Sequence, residues 1–410
     1  MVEVAVVGGG VCGLFCSLTL AKQGIDVTVF EEHRSIGEPS HCAGHLSIQS
    51  LKRLGLYPLP KGIVENEYRG AVFHSSKGNS FEIEFDSPVT CSVNRKFFDR
   101  HLAELAIQAG AKLSLGKHVE SLVIENHNVK GVNVKFRGIH ENLKVKIVVD
   151  AEGISSRILR QAKLRTLNSS MLVKGVSAEV DHVRDIDEDF VEIYFGNAYA
   201  PSFYAWLMPR RDGTAKIGLA TKRGNPKQFL EKFKRKHPIA SKKLGKTKII
   251  REAFHPITLG GPISRTFTNG FLVIGDAASQ VKPTTGGGVI LGMRCAMIAA
   301  ETIHNALKEN NFSAESLSRY QRKWRKLMGF DMWVMLQMRK TFEQLSDNQI
   351  DKLILKCKRL ELQKILRNFS DIDFQGKSLA RIAWHPSIIN LGLYTIFRTL
   401  LSRKSFNSAS

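Results

Sequence analysis

The sequence predicts an α/β protein in three parts: a parallel sheet built from strand–turn–helix units, an antiparallel sheet, and a helical C-terminal region. Two glycine-rich corners predict the first part, strand-like alternation between residues 166 and 255 the second, and helical periodicity from residue 311 onward the third. At the first corner the apolar stretch Val4-Ala5-Val6-Val7 runs into Gly8-Gly9-Gly10-Val11-Cys12-Gly13 and then into a helical pattern that ends at Gly24. In that setting Gly8 allows the tight turn and Gly10 lets the backbone approach a pyrophosphate. Gly13 lets the helix pack close to the strand, so that the first amides of the helix face the phosphates. A second strand, Asp26 to Phe30, delivers Glu31 about 20 residues after the turn, where a carboxylate accepts both hydroxyls of a ribose and disfavours a 2′-phosphate. These are the marks of a Rossmann-type dinucleotide-binding domain. Cys12 and Cys16, one helical turn apart, fit a core better than a redox pair.

Segments farther along decide which dinucleotide is expected. Val148-Val149-Asp150-Ala151-Glu152-Gly153-Ile154-Ser155-Ser156-Arg157 resembles the internal Asp-Gly motif of glutathione-reductase-type flavoproteins, with Glu152 where those proteins usually carry Asp. Phe271 to Ala278 is an apolar strand ending in Gly275-Asp276-Ala277, which is similar to the flavoprotein signature whose Asp binds the ribityl chain. Pro283-Thr284-Thr285-Gly286-Gly287-Gly288 then opens another helix at Val289, whose first amides can point at the pyrimidine side of a flavin ring. FAD is therefore the expected cofactor. There is no second GxGxxG, so the expected electron source is external: a small ferredoxin-like carrier or a transiently docked NAD(P)H.

The bulk properties bound the remaining possibilities. A chain of 410 residues has room for two or three cores at roughly 100 to 200 residues each. Six cysteines without a CxxC pair, and no histidine cluster at metal-ligand spacing, indicate neither a disulfide scaffold, nor zinc, nor an oxidising compartment. Because Val4 already begins a strand, no signal peptide is expected, and the predicted location is cytoplasmic. The net charge of +22 calls for an anionic partner. Its lysines and arginines concentrate at Lys222 to Lys248 and Arg319 to Lys326 without interleaved aromatics, so nucleic acid is not expected. Disorder is expected only at Ser405 to Ser410.

Four further segments narrow the family: Gly37-Glu38-Pro39-Ser40-His41-Cys42-Ala43-Gly44, Asn94 to Arg100, Tyr204-Ala205-Trp206-Leu207-Met208-Pro209, and Leu345-Ser346-Asp347. Together with the Gly275 to Gly288 block they make the chain resemble the geranylgeranyl reductase family, which includes the digeranylgeranylglycerophospholipid reductases and has a p-hydroxybenzoate-hydroxylase-like fold. The resemblance implies FAD contacts at Cys12, Gly13, Glu31, the Cys42-Ala43 turn with His45, Arg95, the backbone near Val119, Asp276, Gly287, Gly288 and Val289. Arg95 also suits a pyrophosphate on its own account, since a guanidinium presents a fork of donors.

The family reduces isolated prenyl double bonds, so an unactivated alkene must receive a hydride and a proton together. Cys42 and His45 are the candidates for shaping proton delivery, although Cys42 equally suits plain packing. A polyprenyl chain also needs a long apolar wall. Phe73, Phe81, Ile83 and Phe85, with Phe203, Tyr204, Trp206 and Leu207, alternate as strands able to line it, Tyr204 and Trp206 being the substrate candidates.

A lipid substrate implies docking on an anionic membrane, peripherally on its cytoplasmic face. Leu391 to Leu401 is too short to span one but, flanked by Arg381, Arg403 and Lys404, suits an interfacial helix or a helix folded on the core. The expected limits are a discontinuous FAD-binding domain at 1–165 and 256–310, a substrate domain at 166–255 to whose sheet residues 65–90 contribute, and a helical region at 311–410. The rival readings are a flavin monooxygenase of the same fold and a non-catalytic membrane-associated flavoprotein.

Overall fold

The computed structural model describes residues 2–367, 371–390 and 392. Val4–Val7 sits inside a six-stranded sheet ordered Phe267–Thr268, Phe271–Val273, Ile147–Asp150, Val4–Val7, Val27–Glu31, Lys112–Leu115. Val4 stands opposite both Val27 and Ile147 in parallel register, and Phe267–Thr268 joins antiparallel at the edge. Val4–Val7 and Ile147–Asp150 are buried at every residue, as continuous apolar runs are when a parallel sheet is covered on both faces. The helices Val11–Ala21, Arg95–Gln108 and Val289–Lys308 pack together in this part of the chain. A three-stranded antiparallel sheet (His118–Glu125, Asn128–Phe136, Ile139–Lys144) adds Val119, Leu122, Val132 and Val134 to the core beneath Val148 and Phe271.

The chain divides into two compact units. The first comprises 1–40, 95–170 and 258–332 and holds the parallel sheet; the second comprises 41–94, 171–257 and 333–410. Residues 41–64 leave the nucleotide-binding part because His45–Ser47 and Val64–Tyr68 both pair with Thr90–Val93 in a separate three-stranded sheet. The helical C-terminal region is shared out, its residues up to 332 clustering with the first unit and those from 333 with the second.

The second unit is built on a seven-stranded sheet ordered Ile249–Thr258, Leu172–Val180, Ala215–Thr221, Tyr204–Pro209, Phe190–Phe195, Gly70–His74, Ser80–Glu84. Gly70–His74 runs parallel to Phe190–Phe195, the remaining pairs given by register being antiparallel. On one face Ala205, Leu207, Ile217 and Leu219 pack against Leu230, Phe233, Ala240 and Leu244 of the helices Pro226–Lys236 and Ala240–Leu244. The pleat therefore sends Leu207 to the helix-covered face, away from Tyr204 and Trp206, which correct register places beside Phe195 and Ile193.

Leu391 to Leu401, apart from Gly392, and Ser405 to Ser410 lie outside the described residues. Among the described residues no helix is long and apolar enough to cross a membrane.

Candidate flavin and substrate sites

In the first unit the glycines at the turn are required by contact. Gly8 has φ +105°, and a Cβ there would stand 2.5 Å from the Ala151 carbonyl oxygen; at Gly13 it would stand 2.0 Å from the Gly8 oxygen. Beside Gly10 a Cβ would meet nothing within 4 Å, so open space adjoins the helix start. No side chain caps that end, and its first turn has no acidic residue, leaving its amides for an outside acceptor.

Glu31 stands at the end of its strand as expected, but its carboxylate is already engaged. Oε2 accepts the Gly9 N–H at 2.7 Å, and Oε1 accepts the His33 N–H at 2.8 Å with His33 Nδ1 2.5 Å away. A carboxylate has about four acceptor sites, so Glu31 keeps acceptor capacity beyond the turn it braces.

The second glycine corner closes over two side chains. A Cβ on Gly288 would meet Asp276 Oδ1 at 2.7 Å, and one on Gly287 would meet Lys282 Cε at 2.8 Å. Gly286 N–H donates to Lys282 O at 2.9 Å, and Lys282 N–H to Gly287 O at 3.1 Å, fastening the loop ahead of Val289–Lys308, whose start is again without a side-chain cap. Asp276 is exposed to solvent, while many protein atoms crowd its carboxylate. Burial raises its carboxyl pKa above the ordinary value, and the Arg95 charge partly offsets this. Arg95 is held by a two-pronged contact with buried Asp99, Nε to Oδ1 and Nη2 to Oδ2 at 3.0 Å each.

Cys12 fills the slot left by two glycines, its Sγ lying 2.7 Å and 2.3 Å from where Cβ atoms of Gly275 and Gly292 would stand. Burial, reinforced by the Asp276 carboxylate, pushes its thiol pKa up, as suits a packing role. Val119 is a core residue whose carbonyl accepts a hydrogen bond from Arg157 Nη2 at 3.1 Å. Glu152 accepts the N–H groups of Ile158 at 2.8 Å and Leu159 at 3.2 Å, so its longer side chain caps the next helix.

Cys42, Ala43, His45, Tyr204 and Trp206 belong to the second unit. Cys42 is half-buried and His45 exposed at the start of His45–Ser47, its ring meeting Tyr68 edge-on at 5.8 Å. Ala43 and Trp206 pack around the same three residues, Tyr68, Val191 and Met208, which brings the Cys42 segment to the Tyr204–Pro209 strand. Trp206 packs over Gly218, where a Cβ would be 2.3 Å from its Cζ2, and its Nε1 finds no acceptor among the described residues. Tyr204 stacks on Phe203 at 4.2 Å and meets Phe195 and Trp206 edge-on at 6.0 Å; burial raises its hydroxyl pKa. Beyond it Phe73, Phe81, Ile83 and Phe195 pack against Ile354, Leu360 and Leu362 of the C-terminal helices. Asp347 ties those helices to the sheet, its carboxylate accepting the N–H groups of Asn197 at 2.6 Å and Ala198 at 3.1 Å.

Tyr68 and Gly218 were not singled out by the sequence. Gly218 had left a signal, a glycine inside the fully buried strand Ala215–Thr221, which marks close approach by another group. Tyr68 had left none.

A family model described as FAD binding domain matches residues 1–328. The digeranylgeranylglycerophospholipid reductase of Methanocaldococcus jannaschii is 34% identical over 354 residues, covering 86% of this chain and 89% of that protein. Digeranylgeranylglycerophospholipid reductase 2 of Methanothermobacter thermautotrophicus is 34% identical over 373 residues, 88% of this chain and 93% of its own length. Among solved structures, a geranylgeranyl bacteriochlorophyll reductase-like protein of Thermoplasma acidophilum superposes with a TM-score of 0.84 at 24% identity, over 96% of this chain and 98% of that one. A flavin-dependent brominase superposes at 0.67 with 17% identity, over 99% of this chain and 98% of that one. At such identities the two structures speak for the fold alone. Two uncapped helix starts, the open space at Gly10 and the solvent-lined carboxylate of Asp276, all in one unit, fit the phosphates and polyol chain of FAD.

Proposed function

This chain belongs to the FAD-binding family of the digeranylgeranylglycerophospholipid reductases, and from that premise we propose that it saturates C=C bonds in the geranylgeranyl chains of membrane ether-lipid precursors or prenyl diphosphates. When bound and reduced, FAD supplies the hydride for such a reaction. Gly8, Gly10 and Gly13 hold the backbone close enough for the pyrophosphate, Glu31 the ribose, Arg95 a phosphate, and Asp276 with Gly287, Gly288 and Val289 the ribityl and ring end.

The observation that carries the substrate reading is the aromatic face on which Tyr204 and Trp206 stand, with Ala43 and Trp206 packed against the same cluster of Tyr68, Val191 and Met208. Tyr204 and Trp206 offer a hydrocarbon chain an aromatic wall, and each methylene laid there contributes about 0.8 kcal/mol. A wall that excludes water limits proton sources to placed groups. Cys42, adjoining Ala43, and His45, against Tyr68, are the groups we assign to proton delivery at the second alkene carbon. The proposed partners are an anionic membrane surface, favoured by the +22 charge, and an external electron donor, either a ferredoxin-like carrier or NAD(P)H.

The test is direct. Dithionite-reduced protein is incubated with geranylgeranyl diphosphate and with an unsaturated diether phospholipid, and product masses are read. Gains of hydrogen pairs are expected; oxygenated product or no gain overturns the reading. Cys42→Ala is expected to keep its flavin and lose prenyl reduction by at least about a hundredfold. Full activity removes Cys42 from the mechanism.

A further inference from the structure

Asp276, assigned above to the ribityl end of the flavin, is the one exposed residue in the run 271–283, whose other twelve members are all buried. A single outward carboxylate on a buried segment is aimed through its own backbone. That backbone is unusual: Gly275 has φ +65° and Ser279 has φ +53°, so left-handed residues bracket the turn Gly275–Ala278. A serine holds that conformation only where its surroundings over-determine it. Ser279 is fixed by its N–H, which donates to the Asp276 carbonyl at 2.9 Å, and by its hydroxyl, 2.7 Å from that of Thr258.

Three buried hydrogen bonds fix the other side of Asp276. Gly275 N–H donates to Gln280 Oε1 at 2.8 Å, Gln280 Nε2 donates to the Tyr320 hydroxyl at 2.8 Å, and that hydroxyl donates to the Val273 carbonyl at 2.9 Å. They form one chain that starts and ends on the backbone just ahead of Asp276. Gln280 and Tyr320 have no exposed surface. Tyr320 lies in the stretch of the helix Ala314–Phe342 that clusters with the first unit. The same stretch grips the neighbouring strand: Gln321 Oε1 accepts the Thr266 N–H at 2.8 Å, and Trp324 Nε1 donates to Thr266 Oγ1 at 3.2 Å. Thr266 in turn accepts the Val273 N–H at 2.9 Å. Apolar side chains of the same shape would pack a helix here about as well. A polar chain with each member satisfied specifies one backbone geometry instead.

We propose that Gln280 and Tyr320 are positioning residues for the flavin: through Gly275 they aim the Asp276 carboxylate at the ribityl end of FAD. This rests on the assignment of Asp276 above and adds two residues that act without surface of their own, one of them from the C-terminal helices.

FAD and, separately, ADP are titrated into full-length protein freed of its flavin, FAD by quenching of its fluorescence and ADP by calorimetry. ADP carries a ribose and a pyrophosphate but no ribityl chain, so it reports the Gly8 to Gly13 corner alone. Gln280→Leu is expected to weaken FAD binding on the order of thirtyfold and Tyr320→Phe on the order of tenfold, with ADP within about twofold of wild type for both. Asp276→Ala is expected to weaken FAD on the order of a hundredfold, and Gln280→Leu added to it to change Kd by no more than about twofold, because both act through one contact. A role in fold stability alone would lower Tm and leave the ratio of FAD to ADP affinity where it was. If Gln280→Leu does not fold, Tyr320→Phe, which removes a single oxygen, takes its place alone and with Asp276→Ala. FAD affinity of Tyr320→Phe equal to wild type, equal losses for FAD and ADP, or an undiminished effect in the Asp276→Ala background overturns the proposal. Wild-type FAD affinity in Asp276→Ala itself overturns the assignment of Asp276, and the proposal with it.

Discussion

The dinucleotide corner of the first unit and the aromatic sheet face of the second are built in opposite ways. At the corner the working groups are backbone, and side chains are excluded: Gly8, Gly13 and Gly288 each lie within 2.7 Å, at the position of an absent Cβ, of an oxygen they must approach. On the sheet face the working groups are side chains, and one glycine, Gly218, serves to seat the indole of Trp206. A backbone site tolerates no added atom, whereas a side-chain wall loses a part of its apolar area with each ring removed. The two regions should therefore fail differently.

The sharpest break is expected at the corner. Gly13→Val places carbon where the Gly8 oxygen lies 2.0 Å away, so strand and helix must separate. The purified variant should be colourless, with flavin per chain reduced by at least about tenfold, as measured by absorbance after denaturation. Retention of wild-type colour would mean that close packing at Gly13 does not govern cofactor binding.

A smaller and cleaner effect is expected on the wall. Trp206→Ala should leave flavin content unchanged and lower kcat/KM for prenyl reduction about 10- to 100-fold. Gly218→Ala should fall between the variant and wild type, because its methyl group pushes the indole aside without removing it. Loss of flavin from Trp206→Ala would erase the distinction between the two regions.

The smallest effect sharpens the comparison through pH. Behind the sheet face His237 is fully buried, its Nδ1 accepting the N–H groups of Ile239 and Ala240 at 3.2 Å while Nε2 lies 3.1 Å from the Ser75 carbonyl. Burial lowers its pKa to about 4. The unfolded chain thus takes up this proton first, and stability contributed by neutral His237 is present above about pH 6.5 and lost as pH falls toward 4. For Glu192 burial pulls the pKa upward, but His74 at 2.8 Å, the Lys243 ammonium at 2.6 Å and the Tyr194 hydroxyl at 2.6 Å outweigh it and hold the carboxyl at about 2. Its contribution is lost in turn as pH falls from about 4.5 toward 2. Circular dichroism melts should show about 3 kcal/mol of stability lost between about pH 6.5 and 4, with His237→Asn abolishing that slope. An equal slope in the variant would place the acid sensitivity elsewhere.

The glycine corner was legible because its chemistry is local. Strand, turn and helix follow one another between Val4 and Gly24, and the spacing of Gly8, Gly10 and Gly13 is dictated by contacts inside that one unit or with the adjoining strand. The same holds for Gly275-Asp276 and Gly286 to Gly288, where loop and carboxylate lie within a dozen residues. Glu31 was placed correctly along the chain, yet its bonds to Gly9 and His33 were invisible, since a ribose-binding carboxylate and a turn-bracing one have the same spacing.

The sheet face was legible only as alternation. Which of two alternating sets faces the helices depends on registry with strands far away in sequence: Phe195 opposite Tyr204, Gly218 opposite Trp206. A shift of one residue exchanges the two faces entirely, and this is why Leu207 was grouped with Trp206 although the sheet separates them. By itself the sequence determined the cofactor class, the glycines that the turns require and the α/β architecture, all set by short-range sterics. Tertiary structure alone decided the rest: the division of the chain at residues 41 and 333, the filling of the Gly275 and Gly292 slot by Cys12, and the packing of Ala43 and Trp206 on the shared cluster of Tyr68, Val191 and Met208. Those outcomes come from burial competing among segments far apart along the chain, and no local spacing records the result.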